Sequence, residues 1–246
     1  MRLKTVLLSL FAAATLGTGL AHAATNLVAN GDFEKTTNGT NKQLSATVTS
    51  EEKRTTISGW TSSNGNDGGY NFVLDSATAP TWDSAIWLKG SGNGYDPLDG
   101  RGNIFASDSQ YWPGVLSQTV SGLTAGNAYT LTFDYALAQQ VGFDGANVDN
   151  FWQVGFGTAT QDSTALSIAN GGFSGWQTAS MTFTAAGASQ VLSFLAKGTA
   201  PGAPPFLLLD GVSLVSAVPE PATWGMLLGG LGLVAFAARR RGNKTA

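Results

Sequence analysis

Residues 128–137, AYTLTFDYAL, alternate strictly: Tyr129, Leu131, Phe133 and Tyr135 fall on one face, Thr130, Thr132 and Asp134 on the other. That period of two is the mark of a half-buried antiparallel strand. Similar runs occur at 114–120 (GVLSQTV), 151–157 (FWQVGFG), 178–185 (TASMTFTA) and 190–196 (QVLSFLA), and FLLLDGVSLV follows from Phe206. Between residues 24 and 218 no segment shows a long helical period, so the pattern predicts an all-β fold. The punctuation agrees. Asn-Gly pairs start at Asn30, Asn38, Asn64, Asn93 and Asn170, and Asp-Gly pairs at Asp67, Asp99, Asp144 and Asp210. Such pairs supply positive φ cheaply, as tight turns require. The 32 glycines have no triplet period, which removes collagen and leaves many short connections. A β-sandwich of the jelly-roll type is the expected architecture.

One stretch fits less well. Residues 35–56 are polar and nearly free of aromatics, and carry Glu51-Glu52-Lys53-Arg54. They are expected to form a solvated loop or an exposed edge hairpin, with the charges as a surface run.

The two ends of the chain have a different character. Residues 1–23 open with Arg2 and Lys4, continue as a short apolar run and close on Ala21-His22-Ala23. This is the form of a cleaved secretory signal; the run is short for a membrane helix. Cleavage would take with it His22, the only histidine of the sequence, and the chain has no cysteine. Ser-His-Asp and Cys-His catalysis, thiolate or imidazole zinc sites and disulfides then lack their residues. Residues 24–217, the expected sandwich domain, are enough to bury one core without disulfides. They hold 7 basic against 15 acidic residues, a net of −8. That balance argues against nucleic acid or anionic lipid as a partner and leaves room for divalent cations or neutral glycans.

No G-x-S-x-G, P-loop or H-E-x-x-H occurs, and most aspartates sit beside Gly, Asn or Pro, where they form turns. The expectation is therefore a protein without catalytic residues, although a pair of loop carboxylates acting on a glycosidic bond is a further possibility. Calcium suits the abundant oxygen donors. NGDFE at 30–34 and LLLDGVSL at 207–214 stand near the two ends of the domain. In a sandwich whose first and last strands lie side by side, Glu34 and Asp210 would meet at one ion; the alternative reading makes both places plain turns.

Aromatic residues raise a second possibility. Trp60, Tyr70, Trp82, Trp87, Tyr95, Tyr111, Trp112 and Trp152 lie in or beside polar, glycine-rich stretches. Sugars stack their C–H faces on such rings, although Trp in a sandwich is more often core. Tyr111 and Trp112, just before Pro113, form the preferred loop, with Trp82 and Trp87 as further candidates.

Residues 218–246 begin with Pro219-Glu220-Pro221, a helix-free hinge. Ala222 to Ala238 follow, 17 residues without a charge, about 26 Å as a helix and barely a bilayer core. Arg239, Arg240 and Arg241 would hold the far end on the cytoplasmic side. A Pro-Glu-Pro triplet, a glycine-rich apolar segment and an arginine cluster, in that order, resemble the PEP-CTERM sorting signal of Gram-negative bacteria that form exopolysaccharide. The resemblance implies recognition by an exosortase, a transient stage in the inner membrane, and a processing role for Pro219, Glu220 and Pro221. The tail is then an address and not a lasting anchor.

The domain has a resemblance of its own. NLVANGDFE, Gly59-Trp60, LSQTVSGLTAGNAYTLTFDYA and FLLLDGVSL are similar to galactose-binding-like jelly rolls and carbohydrate-binding modules. That resemblance implies a structural calcium between the first and last regions, which maps onto Glu34 and Asp210; Gly211 stands where a second Asp is usual. ALAQQVGFDG and PPFLLLDGVSL look like a subgroup of PEP-CTERM proteins. Together these readings lead us to expect an exported protein of the cell surface or exopolysaccharide matrix that binds glycan weakly. A purely structural matrix protein is the first alternative, and a hydrolase or lyase the second.

Overall fold

The computed structural model describes residues 25–81, 83, 85–98, 100, 102–198 and 204–217. The signal and sorting segments expected from the sequence lie outside them. The described residues form two packed sheets. One has seven strands in the order β11 (Gln177–Thr184), β7 (Ala128–Gln139), β13 (Pro205–Ser216), β5 (Asn103–Asp108), β4 (Asn71–Asp75), β1 (Lys42–Leu44) and β2 (Arg54–Thr55). The other runs β10 (Leu166–Ile168), β8 (Asn147–Phe156), β12 (Ser189–Gly198), β6 (Val115–Ser121) and β3 (Thr61–Ser63), with β9 (Ala159–Asp162) as a second partner of β8. From β5 onward the chain passes repeatedly between the sheets, so strands distant in sequence become neighbours.

The alternating residues do what their spacing predicts. Tyr129, Leu131, Phe133 and Tyr135 all enter the space between the sheets, where they meet Leu207 and Leu209 of β13 and Trp152, Val154, Leu192 and Phe194 of the opposite sheet. Trp152 is fully buried and its Nε1 donates to the Leu208 carbonyl at 3.1 Å, so the ring's one polar group is satisfied.

The alternation stops at Ala136 because a second core covers the other face of the seven-stranded sheet. Phe72, Leu74, Ile104, Ala106, Ala136, Ala138, Phe206 and Leu208 pack there under Ala79, Ile86, Leu88 and Tyr95 from the segment between β4 and β5. Strands buried on both faces read as continuous apolar runs, which is why FLLL at 206–209 lacks a period of two.

Two local expectations change. Residues 35–56 are neither a free loop nor a hairpin. β1 and β2 pair in parallel, Gln43 opposite Arg54, and β1 joins β4 antiparallel. Leu44 is buried and anchors this edge. Asp210-Gly211 is not a turn either. The register of β13 against β7 shifts between Asp210 and Ser213, with Gly211 at φ +60°, so the pair forms a bulge that a glycine accommodates.

The first segment runs beside β13: Leu27 N donates to Leu214 O, and Val212 N to Gly31 O, at 2.8 and 2.9 Å. A side chain at position 31 would collide with the Val212 carbonyl, so only glycine permits this approach.

Candidate functional site

β5 ends at Asp108 and β6 begins at Val115; the six residues between them carry Tyr111 and Trp112. Asp108 is 1% exposed, and its Oδ1 accepts the backbone N–H of Gln110 at 2.8 Å and of Tyr111 at 2.9 Å. This is an aspartate turn that starts the loop. Burial pushes the Asp108 carboxyl up to about 6, against the pull of the two amides.

Trp112 has φ +50°, a conformation that costs a non-glycine residue about 1–2 kcal/mol. The surroundings hold it there. Its carbonyl accepts Tyr70 N at 2.8 Å, and Asn64 Nδ2 donates to Pro113 O at 3.0 Å. Asn71, fully buried, donates through Nδ2 to Gly114 O, and its Oδ1 accepts Gly114 N and the Ser107 hydroxyl. Gly69 lies so close to Gly114 that a side chain there would stand 2.7 Å from its backbone.

This loop holds its two rings outward, 59% exposed for Tyr111 and 56% for Trp112. Tyr70 meets Tyr111 edge-on at 5.0 Å, and Tyr111 meets Trp112 at 6.5 Å and 76°. With Gln43, Asp67 and Gly69 the three rings line a hollow of about 220 Å³. Gln43 and Tyr70 also line a neighbouring hollow of about 250 Å³, with Lys53, Arg54 and Asp83 on its wall. Arg54 pairs with Asp67 and Lys53 with Asp83, each at 3.1 Å. Burial, with Asp108 next in effect, raises the Tyr70 hydroxyl above its ordinary pKa. Tyr70 therefore stays a neutral hydrogen-bonding group throughout the physiological range. Exposed rings beside amide, hydroxyl and ion-pair groups suit a neutral, polyhydroxylated ligand.

Trp87 is exposed but lines a different hollow, with Ala77, Thr78, Pro80, Lys89, Gly90 and Ser91. The structure does not join it to the Tyr111–Trp112 platform. Trp82 lies outside the described residues, as do Pro219, Glu220, Pro221, Arg239, Arg240 and Arg241. Trp60, Tyr95 and Trp152 are core. Glu34 Oε1 accepts the amides of Gly102 and Asn103 at 3.1 and 2.7 Å, at the start of β5. Asp210 is buried on the adjacent β13, one residue beyond the Leu209–Phe105 pair, and accepts Gly211 N. Among the described residues no group of three or more His, Cys, Asp or Glu side chains is placed to hold a metal ion.

Sequence reasoning singled out Tyr111 and Trp112 but not their supports. Gln43, the pair Asp67 and Asn71, and Asp108 come from three separate places in the chain. The one local signal was D-S-Q-Y at 108–111, an aspartate two and three residues before the amides that it accepts.

Residues 217–241 match the PEP-CTERM protein-sorting motif. This chain carries a PEP-CTERM sorting motif. The motif starts at the residue after β13 and implies export and sorting to the cell surface. Halomucin of Haloquadratum walsbyi is 29% identical over 195 residues, 78% of this chain; the chain spans only 2% of that protein's length. The fold is similar to that of TmCBM61 in complex with β-1,4-galactotriose, at 16% identity over 65% of this chain and 89% of that one, TM-score 0.36. A CBM4 structure is 16% identical over 77% of this chain and 99% of that one, TM-score 0.32. The K3 cleaved adhesin domain of Lys-gingipain from Porphyromonas gingivalis is 16% identical over 59% and 91%, TM-score 0.34.

Proposed function

We propose that this chain is an exported, non-catalytic surface protein that binds glycan through Tyr111, Trp112 and Tyr70. The observation that carries the reading is the Tyr111–Trp112 loop. Two large rings are held in solvent on a backbone that includes a strained residue, and buried Asp108 and Asn71 fix both of its ends. Stored strain beside exposed aromatic surface is a feature of ligand sites. The nearby carboxylates support a binding role over a catalytic one, since Asp67 and Asp83 are ion-paired and Asp108 caps backbone amides.

The sorting motif supplies the delivery: an exosortase acting at Pro219, Glu220 and Pro221 would release the domain to the cell surface or its exopolysaccharide. The apolar residues 222–238 then meet the membrane only in transit. We extend the proposal to a structural calcium at Glu34 and Asp210. Glu34 is held on the amides that open β5, and Asp210 lies mid-strand on β13, which pairs with β5. That neighbourhood supports the proposal, and backbone carbonyls and water would complete the oxygen set.

Affinity electrophoresis of residues 24–217 through the producing organism's own exopolysaccharide tests the reading. Retardation that is lost in Trp112→Ala is the expected result. Unretarded migration of the wild-type domain would favour a structural matrix protein without a sugar site.

A further inference from the structure

The sandwich has two unlike poles, and the sorting motif leaves from one of them. Ala217 N donates to Ala128 O at 2.9 Å, so the chain is fixed in the sheet up to the first residue of the motif. Around it stand the loops 122–127, 157–158 and 185–188, tied together by Gly126 N to Ala185 O, Ala185 N to Asn127 O and Leu123 N to Ala188 O. Gly157 N binds Val191 O beside them. These loops read GLTAGN, GT and AAGA: no charge, no aromatic ring, and chiefly small side chains. Thr124, Ala125, Gly126, Asn127, Thr158 and Ala186 are exposed.

The other pole lies at the far end of β13, roughly 36 Å away at 3.3 Å per residue. It carries Tyr111 and Trp112, and the exposed Val141 and Phe143 follow the end of β7 there.

The spacing between Ala217 and the triplet is the deciding quantity. Pro219 is two residues beyond Ala217 and Pro221 four, at most about 7 and 14 Å of extended chain. A membrane-bound enzyme that acts on the triplet has to bring its own surface against the pole from which the triplet emerges.

We infer that the loops 122–127, 157–158 and 185–188 form the contact surface for the membrane protein that processes the sorting motif. Their neutrality suits this role. A domain with a net charge of −8 meets an anionic lipid surface at less cost when its nearest loops carry no carboxylate, since such repulsion fades beyond a screening length of about 8–10 Å. The same contact directs Tyr111 and Trp112 away from the membrane. The inference stands on the motif and the fold, and does not require the glycan reading.

The test uses the full chain in a host that holds the sorting machinery, with the mass shift on loss of the tail read over time. Ala125→Asp with Ala186→Asp is expected to slow processing at least about fivefold, as a charge buried against a partner does. Ala125→Ser with Ala186→Ser should leave the rate unchanged. An insertion of ten Gly and Ser residues between Ala217 and Val218, up to about 35 Å of reach, should restore the rate of the aspartate variant. Signal removal and the thermal midpoint of the domain show that each variant is exported and folded. Processing of the aspartate variant at the wild-type rate would overturn the inference. Equal slowing with and without the spacer, or equal slowing by Phe143→Asp at the far pole, would overturn it too.

Discussion

The space between the sheets and the loop 109–114 are both built on aromatic residues, yet the two regions use them oppositely. Trp152 is fully buried, meets Phe105 and Phe194, and gives its Nε1 to a backbone carbonyl. Trp112 touches Tyr111 edge-on, and more than half of it faces water. In the core the ring contributes stability through area removed from water. In the loop that surface stays wet, and the backbone bears a left-handed residue to keep it so. The comparison teaches that residue type does not separate scaffold from site in this chain; the state of the supporting backbone does.

Several substitutions would break or sharpen the contrast. The largest effect is expected from Trp152→Ala, which opens a cavity between the sheets and should lower unfolding stability by about 3–5 kcal/mol in denaturant titration. A loss under about 1 kcal/mol would mean that the ring is not part of the packed core.

Asp108→Asn comes next. The folded-state pKa of Asp108 is raised above its unfolded value, so the fold binds this proton more tightly than the unfolded chain does. Its contribution to stability is greatest below about pH 4, falls as pH rises toward about 6, and is constant above. The Asn side chain still accepts the two amides without a buried charge. The difference in thermal midpoint between wild type and variant should therefore change between pH 4 and 6, with the variant at least as stable at pH 7, by up to about 3 kcal/mol. A difference that does not vary with pH would contradict the burial argument.

Trp112→Ala should cost at least about tenfold in glycan affinity, about 1.4 kcal/mol, while the unfolding midpoint stays within about 0.5 kcal/mol of wild type. Equal losses of stability and binding would make Trp112 part of the scaffold. The smallest effect expected is that of EDTA. It should lower the thermal midpoint of the wild-type domain by a few degrees and leave Asp210→Ala unmoved; insensitivity of the wild type would remove the calcium proposal.

Much of the scaffold was legible because burial on one face leaves a period of two. β6, β7, β8, β11, β12 and β13 all appear where alternation or apolar runs placed them. β4 and β5 were not seen, because the two cores bury one face each, Val73 and Phe105 between the sheets and Phe72, Leu74, Ile104 and Ala106 on the other side, which erases the alternation. The parallel pairing of β1 and β2 was invisible for another reason: three- and two-residue strands are too short to show any period. The candidate site was legible only in its exposed rings.

By itself, the sequence determined the all-β class, the absence of thiol chemistry and the sorting motif at 217–241, since these rest on local pattern and residue identity. It also placed Tyr111 and Trp112 among polar neighbours. Only the tertiary structure decided that Trp152 is core and Trp112 is surface, that Asp108 and Asn71 hold the loop, and that the motif leaves at the pole opposite the rings. The physical reason is that burial and pole are properties of strand order. Strand order follows from pairings such as Asp108 with Phe206 and Tyr129 with Ser216, which join residues far apart in the chain and leave no mark in any short stretch of it.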